Sequence, residues 1–180
     1  MQTTIQYIKK ELAKLYPESE VTGFIRILLE TICGWNYTAQ ILNKTETVAK
    51  SDFREIEMAV SRLKQFEPIQ YILGEAPFMD LKLTVNSSVL IPRPETEELV
   101  NWIIDTNRLN SPQILDIGTG SGCIPLAIKN IIKDAKITAV DISVKALEVA
   151  KQNAIQNNLD VSFYETDILH WENYKWDYSM

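Results

Sequence analysis

The stretch Gln113-Ile114-Leu115-Asp116-Ile117-Gly118-Thr119-Gly120-Ser121-Gly122 decides the fold of this 180-residue chain. Its apolar residues predict a strand over 113–117, and its glycines predict a tight turn after that strand. Apolar residues then recur at helical spacing, which predicts a helix from Ile124. A strand, a glycine turn and a helix in this order are typical of the nucleotide-binding corner of a doubly wound α/β sheet.

The sequence beyond this corner continues to alternate between strand and helix patterns. Residues 137–140 predict a second strand, and Ser143 is a suitable cap for the helix that follows. Residues 161–164 predict a third strand, and Trp176-Asp177-Tyr178 indicates the start of a fourth. The pattern predicts an α/β fold, with the first half of a Rossmann-like sheet in residues 95–180.

The N-terminal part of the chain has a different pattern. Apolar residues at helical spacing predict a small helical bundle over residues 1–70. Residues 71–94 are predicted to form a linker with a β-hairpin. The expected hairpin strands are 81–85 and 89–91, joined by a turn at Asn86-Ser87-Ser88.

Composition and charge exclude several classes of protein. The net charge of −6 argues against a protein that holds nucleic acid through phosphate contacts. No apolar run is long enough to span a bilayer, and the N-terminus lacks a signal-peptide pattern. Cys33 and Cys123 have no pairing or metal-ligand spacing. We therefore predict a cytoplasmic protein with no membrane partner, no metal and no direct nucleic-acid partner.

The spacing of the glycines narrows the class of ligand that the loop is expected to bind. A dinucleotide fingerprint needs its third glycine at position 123, which is Cys123. Here the third glycine is Gly122, and Asp-x-Gly-x-Gly-x-Gly is typical of S-adenosylmethionine-dependent methyltransferases. A nicotinamide-dependent dehydrogenase is therefore disfavoured, and a glycine turn without a ligand is the simpler alternative.

Three aspartates follow or end the predicted strands. Asp141 ends the second strand, where its carboxylate is suited to accept hydrogen bonds from ribose hydroxyls, although helix capping is an alternative role. Asp167 follows the third strand and is suited to accept from an adenine amine, with Ile168 beside the ring. Asp116 either holds the backbone amides of the loop or lies near the cationic end of the cofactor.

Two segments together resemble one family. Ile91-Pro92-Arg93-Pro94-Glu95-Thr96-Glu97, followed by Leu115 to Gly122, is similar to the HemK/PrmC protein-glutamine methyltransferases. Pro68-Ile69-Gln70-Tyr71-Ile72-Leu73-Gly74-Glu75 resembles the segment in which that family passes from its helical domain into its hairpin. The resemblance implies a cytoplasmic enzyme that methylates the side-chain amide nitrogen of the glutamine in the Gly-Gly-Gln motif of peptide chain release factors. The N-terminal helical domain of this family helps to bind the release factor.

The resemblance also implies roles for individual residues. The cofactor loop, which would line the methionine and ribose portion of S-adenosylmethionine, corresponds to Gly118, Thr119, Gly120, Ser121 and Gly122, with Asp116 before it. Asp141 would bind the ribose, and Asp167 and Ile168 would border the adenine. The segment beside the substrate cleft corresponds to Arg93, Pro94, Glu95 and Thr96.

The sequence departs from the family pattern at one point. The catalytic signature of the family, Asn-Pro-Pro-Tyr at the end of the fourth strand, does not occur in this sequence. We therefore expect a truncated chain with no catalytic residue of its own and little or no turnover. An exposed edge of the incomplete sheet would favour self-association. Two alternatives stay open: an adenine-amino methyltransferase acting on nucleic acid, and a non-catalytic fragment that binds cofactor or a partner.

Overall fold

The computed structural model describes residues 1–42 and 46–173. The chain divides into two compact units, Met1–Leu73 and Gly74–Met180. The predicted start of a fourth strand at 176–178 lies outside the described residues. Within the described ranges, no helix combines the length and the apolar character needed to cross a membrane.

The first unit is helical, as predicted. Its helices are α1 (Gln2–Leu12), α2 (Glu18–Cys33), α3 (Tyr37–Leu42), α4 (Lys50–Leu63) and α5 (Ile69–Leu73). Pro17 immediately precedes α2, and Gly34 ends it with a left-handed φ of +69°. The apolar faces of α1, α2 and α4 form one core that includes Ile8, Leu12, Leu28, Leu29, Ile56, Val60 and Leu63.

A β-hairpin opens the second unit. Strands β1 (Glu75–Phe78) and β2 (Leu81–Thr84) pair antiparallel, with Phe78 opposite Leu81. The predicted strand at 81–85 is therefore nearly right, but its predicted partner at 89–91 is wrong. Val89 and Ile91 are buried, but residues 89–91 form no strand: Val89 belongs to a turn that its N–H closes with Asn86 O, and β2 pairs with β1 instead. Pro77 weakens the strand pattern of β1, since proline cannot donate to a β-ladder.

The rest of the second unit is the predicted α/β sheet. Helix α6 (Pro94–Thr106) leads into β3 (Gln113–Ile117), α7 (Cys123–Ile131), β4 (Lys136–Asp141), α8 (Val144–Gln156), β5 (Ser162–Glu165) and a short 3₁₀ segment (Ile168–Asn173). The strands are parallel in the order β3-β4-β5. The core between the helices, hairpin and sheet includes Phe78, Leu83, Val100, Leu126, Ile128 and Ile137.

The strand register brings the candidate residues to one edge of the sheet. Ile117 lies beside Val140, and Asp141 lies beside Glu165. The carboxyl ends of β3, β4 and β5 therefore lie next to one another. In an open α/β sheet this is the edge at which ligands bind.

Candidate cofactor site

The glycine loop is folded back onto the end of β4 by its own backbone. Gly118 N and Thr119 N both donate to Val140 O, at 2.8 and 3.0 Å, and Gly122 N donates to Thr119 O at 2.9 Å. All three glycines have positive φ: +76° at Gly118, +54° at Gly120 and +78° at Gly122. Residues with a side chain rarely adopt such angles, so the turn depends on glycine.

The three glycines serve two different purposes. A Cβ added at Gly122 would lie 3.2 Å from Ala150 Cβ and 3.3 Å from Leu126 Cδ1. Gly122 therefore allows α7 and α8 to approach each other. A Cβ added at Gly118 or Gly120 would meet nothing within 4 Å. These two glycines border open space, as a backbone that approaches a ligand should.

Asp141 braces the loop from the end of β4. Its Oδ2 accepts from Gly120 N and its Oδ1 accepts from Ser143 N, both at 2.9 Å. Ser143 is the cap of α8, as predicted, because its Oγ accepts from Ala146 N at 3.2 Å. The carboxylate of Asp141 thus joins the glycine loop to the start of α8. Each of its oxygens retains acceptor capacity for a ligand hydroxyl.

Three buried side-chain oxygens at or after the ends of β3 and β5 lack a hydrogen bond of normal geometry in the described part of the chain. Asp116 Oδ2, Thr119 Oγ1 and Thr166 Oγ1 make no hydrogen bond of normal geometry with the described residues. Burial raises the pKa of Asp116; the nearby Thr119 hydroxyl opposes the rise and the charge of Asp141 adds to it. Buried polar atoms are usually satisfied, so these suggest contact with a ligand or water. Carboxylates, hydroxyls and open space over two glycines fit S-adenosylmethionine, which has hydroxyl donors and cationic groups.

Asp167 and Ile168 follow β5 beside this edge. Thr166 N donates to Asp141 O at 3.0 Å, which joins the end of β5 to the end of β4. The Asp167 carboxylate contacts His170 Nδ1 at 2.8 Å and accepts from Leu169 N at 3.0 Å. The hydrogen bonds from His170 and from the Leu169 amide lower the pKa of Asp167. A contact between Asp167 and an adenine amine stays a prediction.

The predicted cleft segment forms the beginning of α6. Arg93 is the N-cap residue, and Pro94 is the first helical residue, where its missing N–H costs nothing. Thr96 N donates to Arg93 O at 3.0 Å, and the side chains of Arg93 and Glu95 are exposed. Their place beside a substrate cleft also stays a prediction.

Sequence reasoning missed two polar side chains that organise this unit. Glu97 Oε1 accepts from Met79 N in the hairpin turn at 2.7 Å. Asn153, fully buried in α8, bonds to both the hairpin and the glycine loop. Asn153 could have been found from its position, since it is polar on the face of α8 that carries Ala150 and Ala154. Nothing local in the sequence indicates the partner of Glu97.

Comparison with known families matches both parts of the chain. The family described as "PrmC N-terminal domain" matches residues 3–74, and the family described as "Methyltransferase small domain" matches residues 96–178. Among curated relatives, the release factor glutamine methyltransferase of Flavobacterium psychrophilum is 41% identical over 166 residues, covering 90% of this chain and 58% of the relative. The protein of the same name in Bacteroides thetaiotaomicron is 38% identical over 162 residues, with the same coverage of 90% and 58%. The Streptococcus pneumoniae protein of that name is 36% identical over 169 residues, covering 94% and 60%.

The chain thus spans about three-fifths of the length of these relatives. Solved structures with partial similarity include a Pyrococcus abyssi tRNA (uracil-54, C5)-methyltransferase in complex with S-adenosyl-L-homocysteine, at 18% identity and a TM-score of 0.44 over 52% of this chain and 23% of that one. A coclaurine N-methyltransferase structure matches at 20% identity and a TM-score of 0.41 over 94% and 50%. The family assignment rests on the sequence relatives and on the two family matches.

Proposed function

Because this chain belongs to the HemK/PrmC family of protein-glutamine methyltransferases, we propose that it supplies the cofactor-binding part of a release factor glutamine methyltransferase. The reaction would transfer a methyl group from S-adenosylmethionine to the amide nitrogen of the Gly-Gly-Gln glutamine. When bound, this cofactor supplies an electrophilic methyl group on a sulfonium centre. The observation that carries the proposal is the meeting of the glycine loop, Asp116 and Asp141 at the carboxyl edge of the sheet, where the Asp141 carboxylate holds Gly120 N and keeps free acceptor capacity.

The residues of the chain have distinct tasks in this proposal. Asp141 holds the loop through Gly120 N and offers its remaining lone pairs to the ribose hydroxyls. Asp116 is a carboxylate in a half-buried position, where a cationic group would favour its ionised form. Asp167 and Ile168 border the adenine. Gly122 completes the loop, and its lack of a side chain also lets α7 and α8 approach each other.

Calorimetric titration with S-adenosylhomocysteine tests the cofactor site. Asp141→Asn should weaken binding by about tenfold or more, because a charge-assisted hydrogen bond contributes roughly 1.5–3 kcal/mol. Asp141 accepts hydrogen bonds from two backbone N–H groups, those of Gly120 and Ser143. In Asp141→Asn the NH₂ group would face one of these N–H groups, and two donors cannot bond to each other. The matched control is Asp160→Asn, an exposed aspartate before β5. Equal affinity of the two variants, or no binding to the wild-type chain, would contradict the proposed site.

The substrate is tested with the complete gene product. Methyl transfer to a release factor is expected, and methyl transfer to DNA is not. The acidic net charge of −6 disfavours the adenine-amino nucleic-acid methyltransferase, because phosphate contacts need a basic surface. Release factor left unmodified while DNA is methylated would reverse the assignment. Since Asn-Pro-Pro-Tyr is absent from this sequence, we propose that the 180-residue chain binds cofactor without turnover.

The domain division is part of the same proposal. Residues 1–70 would recognise the release factor, residues 71–94 would link, and residues 95–180 would bind the cofactor. A translation factor as substrate would mean a cytoplasmic protein, and the two free cysteines, Cys33 and Cys123, support this proposal.

The free edge of β3 supports a further proposal, self-association. Among the described residues, β3 pairs with β4 and with no other strand. Leu115 and Ile117 of β3 are 41% and 52% exposed, whereas Ala139 and Val140 of β4 are buried. Unpaired edges of this kind invite pairing with a second chain. A monodisperse monomer by light scattering, with uniform amide protection across the sheet, would argue against it.

A further inference from the structure

The side-chain amide of Asn153 connects three elements of the second unit. Its Oδ1 accepts from Thr84 N at 2.6 Å, and its Nδ2 donates to Thr84 O at 3.0 Å and to Ser121 O at 2.9 Å. Thr84 ends β2 of the hairpin, and Ser121 lies in the glycine loop. One amide group in α8 therefore holds the hairpin and the loop together.

The chemistry of the amide fixes its orientation. An asparagine side chain has two N–H donors and one carbonyl acceptor, and here both donors and the acceptor are used. In the reversed orientation, the NH₂ group would face the N–H of Thr84 and the oxygen would face Ser121 O. Asn153 is 0% exposed, so water cannot replace a lost partner without a rearrangement.

Helix propensity does not explain why an asparagine occupies position 153 in the interior of α8. Asparagine disfavours helix interiors because its side chain competes for backbone hydrogen bonds. It stands on the same face as Ala150, whose Cβ limits the space at Gly122. Helix α8 thus holds the glycine loop at adjacent points, by contact at Gly122 and by a hydrogen bond at Ser121 O.

Two neighbouring side chains of α8 provide a comparison. Gln156 Oε1 accepts from Thr84 Oγ1 at 3.0 Å, and Asn157 Nδ2 donates to Lys82 O at 3.2 Å. Both join α8 to β2, and within the described ranges neither side chain bonds to the glycine loop. Asn153 differs from them because its Nδ2 also reaches the loop.

We propose that Asn153 is a positioning residue, which holds the glycine loop in its cofactor-binding shape by fixing it to the hairpin. It would act through Ser121 O without touching the cofactor. The consequence for cofactor affinity rests on the proposed function, whereas the effect on the loop does not. A merely structural residue would change overall stability and leave the loop and its affinity unaltered in the folded protein.

Amide hydrogen exchange of the 180-residue chain tests the effect on the loop. Asn153→Asp keeps an acceptor for Thr84 N, and in its ionised form it has no donor for Thr84 O or Ser121 O. Amides of Gly118 and Gly120 should then exchange about tenfold faster or more, the equivalent of one lost hydrogen bond, while the amide of Thr84 stays protected. The control Gln156→Ala should leave loop exchange within about twofold of wild type, because it removes a bond to the hairpin alone. A folded Asn153→Asp protein with unchanged loop exchange would overturn the proposal.

A second variant and a second readout cover the remaining outcomes. Asn153→Ser introduces no buried charge and should accelerate loop exchange in the same direction. If neither variant folds, denaturant-dependent exchange of the wild type decides: loop amides that open well before the amide of Thr84 would overturn the proposal, and joint opening would support it. Titration with S-adenosylhomocysteine should show an affinity loss of about tenfold for Asn153→Asp and less than about twofold for Gln156→Ala. If the wild-type chain fails to bind S-adenosylhomocysteine, the cofactor proposal is refuted. The amide exchange of the glycine loop then tests the role of Asn153 by itself.

Discussion

Replacing Gly122 by alanine is expected to destabilise the second unit more than replacing Gly118 by alanine. The two glycines have nearly the same φ, +78° and +76°, so alanine meets similar backbone strain at either position. Both substitutions also restrict the unfolded chain to the same degree. These contributions cancel when the two variants are compared, and the difference between them reports the space around the new methyl group.

The magnitude follows from the contacts of that methyl group. At position 122 it would lie 3.2 Å from Ala150 Cβ and 3.3 Å from Leu126 Cδ1. The leucine side chain can rotate, but the Ala150 methyl is fixed to α8, so the helix must shift. Overpacking of this kind costs about 1–3 kcal/mol. For a domain of this size, Gly122→Ala should melt roughly 5–20 °C below Gly118→Ala.

Thermal unfolding followed by calorimetry measures this difference. Gly74→Ala is a matched control, because Gly74 has a φ of +75° and open space around its Cβ position. Affinity for S-adenosylhomocysteine should show the opposite order, since a methyl group at position 118 enters the space proposed for the cofactor. Equal melting midpoints for Gly122→Ala and Gly118→Ala would refute the division of the glycines into packing and binding positions.

Three further substitutions have defined outcomes. Asp116→Asn should stabilise the protein by about 0.5–2 kcal/mol at neutral pH. Because the folded pKa of Asp116 is raised, the stability of the wild type falls as pH rises from the unfolded pKa to the folded pKa. The stability gained by Asp116→Asn should therefore vanish well below pH 3.8, the ordinary pKa of the group. Glu97→Ala should cost about 1–2 kcal/mol, because the hairpin turn loses the acceptor of a main-chain amide. The control Glu98→Ala changes an exposed neighbour and should cost less than about 0.5 kcal/mol. Equal urea midpoints for Glu97→Ala and Glu98→Ala would contradict the role given to Glu97. Asp167→Asn should remove a stabilisation that is present above the unfolded pKa and is lost as pH falls through the lowered folded pKa, because His170 and the Leu169 amide hydrogen-bond the carboxylate. Unaltered melting curves across acidic pH would count against those hydrogen bonds.

Local sequence patterns were sufficient to predict much of the candidate cofactor site. The strands, the glycine turn and the cap at Ser143 depend on residues close together in the chain, and the structure has the strand ends within one residue of their predicted positions. The strand register then brings Asp116, the glycine loop and Asp141 to one edge of the sheet. The hairpin pairing was mispredicted because burial at 89–91 resembles a strand pattern, while Pro77 obscures the true partner strand.

Sequence patterns alone predicted a helical unit followed by a glycine-turn α/β unit, and they carried the resemblance to the HemK/PrmC family. Those conclusions rest on hydrophobic period, turn residues and motif spacing, which are local properties. The packing of the folded chain was needed to show that a Cβ at Gly122 would press on Ala150, whereas Gly118 and Gly120 border open space. The same packing shows that Asn153 bonds both to Thr84, 69 residues away along the chain, and to Ser121 of the glycine loop. Contacts between residues so far apart in the chain depend on how helices and strands pack. A local sequence pattern therefore cannot predict which backbone group a buried side-chain amide will hydrogen-bond.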